Sequence, residues 1–254
     1  MKLTVGMATY NDFDGAYFTI QSLRMHHPEV DEIVVVDNYG SDRLKDWIQY
    51  WCKDNTVYDR YTDTVGTTMP RQRVFEIATG DIVIVIDSHV LLMPDALNAA
   101  FPDNGDLFHG PMCYDDFSYV THMEDRWQEF MWGVWAEATK ELPNEPFEIP
   151  MHGLGLFGCR RDEWLGFNKD FRGFGGEEGY IHTKFRKAGR KTVCLPKLRW
   201  IHRFGKSSNF PLRLEDRIRN YVIGFTELDM DLKPIYEHFG TRMVEHAVNG
   251  GAIG

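Results

Sequence analysis

The sequence has no long apolar run, no paired cysteine motif, no internal repeat and no low-complexity segment. Its longest unbroken apolar stretch is Ile82–Ile86, far short of the roughly 20 residues that cross a bilayer. The N-terminus enters Leu3-Thr4-Val5-Gly6-Met7-Ala8 with no basic region ahead of a long apolar segment, so no signal peptide is expected. Cysteine is scarce: Cys52, Cys113, Cys159 and Cys194 are widely scattered, without a C-x-x-C pair. That pattern points to a reduced, cytoplasmic chain. No G-x-G-x-x-G is expected, no Gly-rich pyrophosphate-binding sequence follows the first strand, and no G-x-x-x-x-G-K-[ST] occurs, which sets aside the usual dinucleotide and P-loop readings.

What is present is an ordinary globular composition. With 254 residues, the chain is one large domain or two small ones, and it is long enough to bury about three-quarters of its unfolded surface. Its 43% hydrophobic and 26% charged residues exclude a disordered or fibrous chain. The net charge of −10 hides an asymmetry. Lys184 to Arg219 holds twelve Lys or Arg against two acids, Glu215 and Asp216, and the remainder is strongly acidic. Such a split suggests a face that handles an anion, with a solvated helix face and salt bridges as the alternative.

Two hydrophobic periods alternate through the first 110 residues. Strands are expected at Leu3–Ala8, Glu32–Val36, Thr56–Tyr61 and Asp81–Ile86, and helices at Tyr17–His26, Leu44–Trp51 and Arg71–Thr79. Pro94, with Asp95 behind it, reads as a helix start. Apolar strands separated by helices define an α/β fold: a Rossmann-like, mixed but mainly parallel sheet with helices on both faces. Residues 111–150 are less regular, with Trp127, Trp132 and Trp135 spaced as on a helix and Pro143, Pro146 and Pro150 marking a loop. A strand at Leu154–Arg160, a Gly-rich turn at Gly173–Glu178, a helix to Ala188 and strands at Thr192–Leu195 and Trp200–His202 follow. Arg203–Pro211 reads as a mobile loop, Leu212–Thr226 as a helix, and Asn249–Gly254 as a frayed end.

Ligands of such sheets bind at the carboxyl ends of the strands. Three polar clusters fall there: Thr9-Tyr10-Asn11-Asp12, Asp37-Asn38 and Asp87-Ser88-His89. In an extended segment Asp87 and His89 point to one side and can offer an oxygen and a nitrogen to one ion. His202, at the end of another apolar stretch, is the candidate third ligand. One carboxylate and two imidazoles suit Mn²⁺, Fe²⁺ or Zn²⁺ better than Ca²⁺ or Mg²⁺. A helix cap or surface pair is the alternative use of a D-x-H. Asp37 can accept from a nucleobase N–H or a ribose hydroxyl, while Ser41 or Asp42 caps the next helix. Glu177 and Glu178 follow three glycines at a helix N-terminus, and Arg203 and Lys206 beside His202 can neutralise a diphosphate.

Together these residues resemble a GT-A fold glycosyltransferase over most of residues 3–206. Thr9-Tyr10-Asn11, Asp37-Asn38 with Ser41 and Asp42, and Arg71 sixteen residues before Asp87 resemble the nucleotide-binding half of family 2 enzymes. Asp87-Ser88-His89 is similar to the D-x-H of polypeptide N-acetylgalactosaminyltransferases. Gly175-Gly176-Glu177-Glu178 resembles their W-G-G-E-N, and Trp200-Ile201-His202-Arg203-Phe204 their G-H-V-F-R, whose His is the third metal ligand. That family also carries an N-terminal anchor and a C-terminal lectin domain, for which the 254 residues have no room. Glu178 in place of Asn is equally similar to the second acid of inverting family 2 enzymes, so retention and inversion both stay open.

The resemblance implies a catalytic domain at 1–206, with a nucleotide-binding half (1–110) and an acceptor-binding, catalytic half (111–206), and C-terminal helices of 207–254 packed on it. It implies a nucleotide-sugar donor, uridine diphosphate as its nucleotide, and Mn²⁺, with Mg²⁺ as substitute, on Asp87, His89 and His202. Thr9, Tyr10, Asp12, Asp37, Arg71, Asp87, Ser88, Arg203 and Lys206 are expected around the donor, and Glu178 and Glu177 at the reacting centre. Arg203–Pro211 would act as a lid. The acceptor is a glycan, lipid-linked or protein hydroxyl, with a hydroxylated DNA base ranked below these. Other readings are a non-catalytic sugar-nucleotide-binding module, a non-haem iron oxygenase built on the two His and one carboxylate, and a nucleotidyltransferase of related fold.

Overall fold

The computed structural model describes residues 1–204 and 210–250. Its first half alternates β1 (Leu3–Thr9), α1 (Phe13–His26), β2 (Glu32–Asp37), α2 (Asp42–Trp51), β3 (Thr56–Arg60), α3 (Thr68–Ile77) and β4 (Ile82–Asp87). Short strands follow: β5 (Val90–Leu92), β6 (Leu107–His109), β7 (Met112–Cys113), β8 (Tyr119–Val120), β9 (Met123–Gln128), β10 (Met131–Trp135), β11 (Phe147–Glu148) and β12 (Leu156–Arg160). The chain continues with α4 (Glu177–Lys187), β13 (Thr192–Cys194), β14 (Trp200–His202), α5 (Leu214–Glu227), α6 (Lys233–Phe239) and α7 (Thr241–Val248).

The main sheet has the order β11-β13-β6-β12-β4-β1-β2-β3. Its β3-β2-β1-β4 half is parallel, and β12 runs antiparallel to β4. Alternation along the strands sorts side chains onto two faces. Ile33, Val35, Ile82, Ile84 and Ile86 pack with Ile20 and Leu23 of α1 and Leu44 and Ile48 of α2. Val34, Val36, Val83 and Val85 pack with Val74 and Phe75 of α3 and Ile181 and Phe185 of α4. Both faces are covered, which is why these strands read as unbroken apolar runs. Gly6 lets α3 lie directly on β1, because a Cβ there would overlap Val74 Cγ1.

A second sheet, ordered β5-β14-β7-β8, stands beyond the end of β4. Its register sets His202 opposite Val90, one residue from His89. The C-terminal helices share an apolar cluster with the β9–β10 hairpin, through Met123, Trp132, Tyr221, Phe225, Ile235 and Val244.

Several local expectations need correction. Trp127, Trp132 and Trp135 are not helical: they lie on the β9–β10 hairpin, where Trp132 pairs with Trp127. Glu129, at φ 51°, turns the chain between the two strands, so a spacing that also fits a helix is resolved by the turn. Pro94 starts no α-helix. Asp95 adopts a left-handed φ of 61°, and only a short 3₁₀ turn follows at Ala96–Asn98. α1 begins at Phe13, since Asp12 caps it through Gly15 N. A G-x-G-x-x-G does occur, at Gly153–Gly158, but it leads into β12 instead of opening a helix, so it is no dinucleotide fingerprint. Part of the basic stretch is taken up in local pairs. Lys184 pairs with Glu227, Arg190 with Glu163 and Lys191 with Glu148, while Arg219 donates to Asp170 O. All four cysteines are free and buried. Among the described residues no helix is long and apolar enough to cross a membrane.

Candidate active site

The carboxyl ends of β1 and β4, the end of β14 and the N-terminus of α4 surround one cleft of about 490 Å³. Thr9, Tyr10, Arg71, Asp87, Ser88 and His89 line it, together with Glu178, His202 and Arg203. Asp12, Asp37 and Glu177 do not. Lys206, and with it most of the expected lid at Arg203–Pro211, lies outside the described residues.

Asp87, His89 and His202 meet at the cleft, where one ligand atom from each lies within 4.8 Å of the others. His202 Nε2 is 3.5 Å from Asp87 Oδ2, and the two imidazoles stand edge to face with centroids 4.7 Å apart. The donor set fits a divalent transition ion: two imidazole nitrogens and one carboxylate, partly buried and open to the cleft. Asp87 is kept ionised. Burial alone would raise its pKa, but the Arg71 guanidinium, then His202 and His89, hold it far below the usual carboxylate range. Gly155 backs this arrangement. Its carbonyl accepts from Asp87 N at 2.9 Å, and its missing Cβ leaves room for Trp200.

Arg71 sits behind the cluster. One of its nitrogens is 2.9 Å from Asp87 Oδ1 and another 3.3 Å from Glu177 Oε1. Glu177, fully buried, also accepts from Thr67 Oγ1 at 2.5 Å. The two adjacent acids therefore separate by role. Glu177 faces inward to Arg71, and Glu178 faces the cleft. Burial, reinforced by the neighbouring Glu177 carboxylate, pushes Glu178 up to about 8.

Asp37 is not brought to the cleft wall. Its carboxylate accepts from the backbone of Tyr39, Gly40 and Ser41 at 3.0, 3.0 and 2.6 Å and from Tyr58 Oη at 2.8 Å. It orders the loop after β2 instead. Asn38, which does line the cleft, is likewise committed to Tyr61 O, Thr64 O and Gly66 N. Thr9 Oγ1 is buried on the cleft wall without a hydrogen-bond partner, and unpaired buried polar atoms of this kind call for a ligand or water.

Sequence reasoning missed three features. Thr67 was passed over, though it anchors Glu177. The apolar side of the cleft was found only at Trp135; Met112, Met123 and Met131 beside it gave no signal because they lie on short strands. His109, His152 and His182 form a fully buried stack of imidazoles behind α4, with His109 Nε2 and His182 Nε2 2.9 Å apart. Burial lowers the pKa of all three, to about 4 for His152 and about 3 for His182. Far apart in the chain, each reads singly as an ordinary core histidine.

With this geometry in hand, comparison with known proteins is specific. Residues 4–103 match the family model "Glycosyl transferase family 2". Polypeptide N-acetylgalactosaminyltransferase 10 of Homo sapiens is 28% identical over 216 residues, covering 74% of this chain and 35% of the relative. Polypeptide N-acetylgalactosaminyltransferase 8 of Drosophila melanogaster is 25% identical over 225 residues, 80% of this chain and 38% of the relative. The chain thus spans little more than a third of the length of these relatives. Among solved structures, GalNAc-T7 with UDP, GalNAc and Mn²⁺ superposes with a TM-score of 0.71 at 17% identity, over 89% of this chain and 48% of that one. The Pyrobaculum calidifontis mannosyltransferase with GDP-Man and Mn²⁺ gives 0.59 at 17% identity, over 99% and 73%. The fold is therefore that of the GT-A class. The family match over residues 4–103 agrees with that fold.

Proposed function

We propose that the chain transfers a sugar from a uridine diphosphate sugar to an acceptor hydroxyl, with a divalent cation, Mn²⁺ or in its place Mg²⁺, held by Asp87, His89 and His202. The observation that carries this reading is the meeting of those three side chains, from the β4–β5 turn and β14, in one cleft with Glu178. Solved structures of like fold hold UDP or GDP-Man with Mn²⁺, which supports a nucleotide-sugar donor and that metal. Residues 1–206 are taken as the catalytic domain, split near residue 110, with 207–254 packed on it.

When bound, the cation supplies Lewis-acid neutralisation of the charge that grows on the departing diphosphate. Arg71 keeps Asp87 anionic and fixed in direction. Arg203 lines the mouth of the cleft and adds positive charge where the phosphates leave. In this reading Glu178 takes the proton of the acceptor hydroxyl, a role supported by its lining the cleft while Glu177 does not. Its raised pKa keeps it a usable base near neutral pH. The acceptor is assigned no further than a glycan, lipid-linked or protein hydroxyl.

The test is a screen of radiolabelled sugar nucleotides for Mn²⁺-dependent hydrolysis, repeated with candidate acceptors for the best donor. Turnover that depends on Mn²⁺ and disappears in Asp87→Ala is expected. Full turnover by Asp87→Ala, or none with any sugar nucleotide, would overturn the reading.

A further inference from the structure

Asp12 lies outside the cleft lining yet is tied to it at several points. Its carboxylate joins the loop after β1 to the turn after β4, 76 residues away in the chain. Oδ2 accepts from Ser88 Oγ at 2.9 Å and faces His89 Nδ1 at 3.1 Å. Oδ1 accepts from Gly15 N at 3.3 Å, as the cap of α1, and from Arg203 Nη2 at 3.4 Å. The side chain is only 10% exposed, so its contacts with Ser88 and His89 are shielded from water.

The chemistry at Oδ2 has one consistent solution. A carboxylate offers only acceptors, so the His89 nitrogen facing it must carry hydrogen. The opposite tautomer would set a ring lone pair against a carboxylate lone pair at 3.1 Å. With hydrogen on Nδ1, neutral His89 has its lone pair on Nε2. Ser88 adds to the same choice: its hydroxyl hydrogen is directed at Asp12, which turns an oxygen lone pair to His89 Nδ1, 3.4 Å away.

We propose that Asp12 is a positioning residue for the cation site, holding His89 as its Nδ1–H tautomer so that Nε2 is bare for a divalent ion. This rests on the cation reading above. Carboxylate partners of metal-bound imidazoles fix ring orientation and raise basicity, and losing one costs about 10–100-fold in metal affinity.

An amide at position 12 distinguishes this role from helix capping. Asn caps a helix about as well as Asp, so Asp12→Asn keeps α1. Its amide can accept on only one side, however. Gly15 N–H and Arg203 can only donate, so the amide oxygen turns to them and the NH₂ to Ser88 and His89. Of the described groups that contact Asp12, only Ser88 and His89 can reverse their roles. The NH₂ then drives the His89 proton to Nε2, the nitrogen the cation needs bare.

The experiment compares wild type, Asp12→Asn and Ser88→Ala by ¹⁵N imidazole NMR, with His89→Gln to assign the signal. Mn²⁺ binding is followed by the paramagnetic resonance of free Mn²⁺, with and without uridine diphosphate. Expected are an Nδ1–H His89 in wild type and Ser88→Ala, an Nε2–H His89 in Asp12→Asn, and Mn²⁺ affinity about 10–100-fold weaker in Asp12→Asn than in wild type. An unchanged tautomer, or Mn²⁺ binding equal in wild type and Asp12→Asn, would overturn the inference. A tautomer change with no Mn²⁺ binding by wild type would instead sink the cation reading and reduce Asp12 to a structural tie.

Discussion

Arg71 reaches Asp87 at 2.9 Å from a position almost closed to solvent, its side chain 7% exposed. A buried cation between two acids is marginal as a source of net stability, but removing it leaves Glu177 fully buried without a counter-charge and takes the guanidinium from Asp87. Arg71→Met is therefore expected to lose about 3–5 kcal/mol of unfolding free energy in urea titration. Arg71→Lys should recover only part of it, because a single ammonium cannot hold both acids in the fork geometry of a guanidinium. A loss below about 1 kcal/mol for Arg71→Met, the level of an exposed ion pair, would contradict the buried placement.

Glu178 gives a pH dependence whose sign follows from its pKa. Folding raises it from 4.5 to about 8, so between those values the folded state binds more protons than the unfolded. Stability is then fully present below about pH 4.5 and is lost as pH rises toward 8. Glu178→Gln, which cannot ionise, should remove that decline, so its advantage over wild type grows across the interval to a few kcal/mol. Activity should run the other way. Wild-type kcat/KM is expected to rise toward pH 8 as the base loses its proton, and Glu178→Gln to lose about 10²–10⁴ of rate. Parallel denaturation and rate profiles at several pH values check both.

The parallel half of the fold was legible because strands covered on both faces, such as Ile82–Ile86, read as short unbroken apolar runs separated by helical periods. The cluster of Asp87, His89 and His202 was legible for a related reason: each ends such a strand or follows it directly. The hairpin carrying Trp127, Trp132 and Trp135 was not. Its spacing fits two periods, and the deciding event is a left-handed turn at Glu129, a residue type with no preference for that conformation. The separate duties of Glu177 and Glu178 were equally hidden, since only packing against Arg71 and Thr67 sends one acid inward and its neighbour outward. Asp37 misled for the opposite reason. A carboxylate at a strand end looks free in sequence, while in space three backbone N–H groups and Tyr58 already claim it.

Gly6 is a packing requirement that stability measurements can read. Any Cβ there overlaps Val74 Cγ1 in the buried layer between β1 and α3, and forced overpacking costs about 1–3 kcal/mol. Gly6→Ala should fall in that range, and Gly6→Val should cost more. Pairing Gly6→Ala with Val74→Ala should return much of the loss, a coupling that a double-mutant cycle measures directly. Additive losses would mean that α3 does not rest on β1 at this point.

The stacked histidines make the protein sensitive to acid. His109, His152 and His182 are fully buried, and burial lowers the pKa of each, to about 4 for His152 and about 3 for His182. Below an unfolded value near 6.5 the unfolded chain takes up protons that the folded core excludes. Stability is therefore complete above about pH 6.5 and declines as pH falls toward 3–4. Each imidazole contributes up to about 1.4 kcal/mol per pH unit to that slope. Glu178 acts in the opposite sense between 4.5 and 8, so the Glu178→Gln background isolates the histidine effect. In that background, His152→Gln should reduce the slope between pH 4.5 and 6 by about one proton's worth, whatever it does to stability at neutral pH. An unchanged slope would show that His152 is protonated or solvated in the folded protein, and that the stack behind α4 is not closed to water.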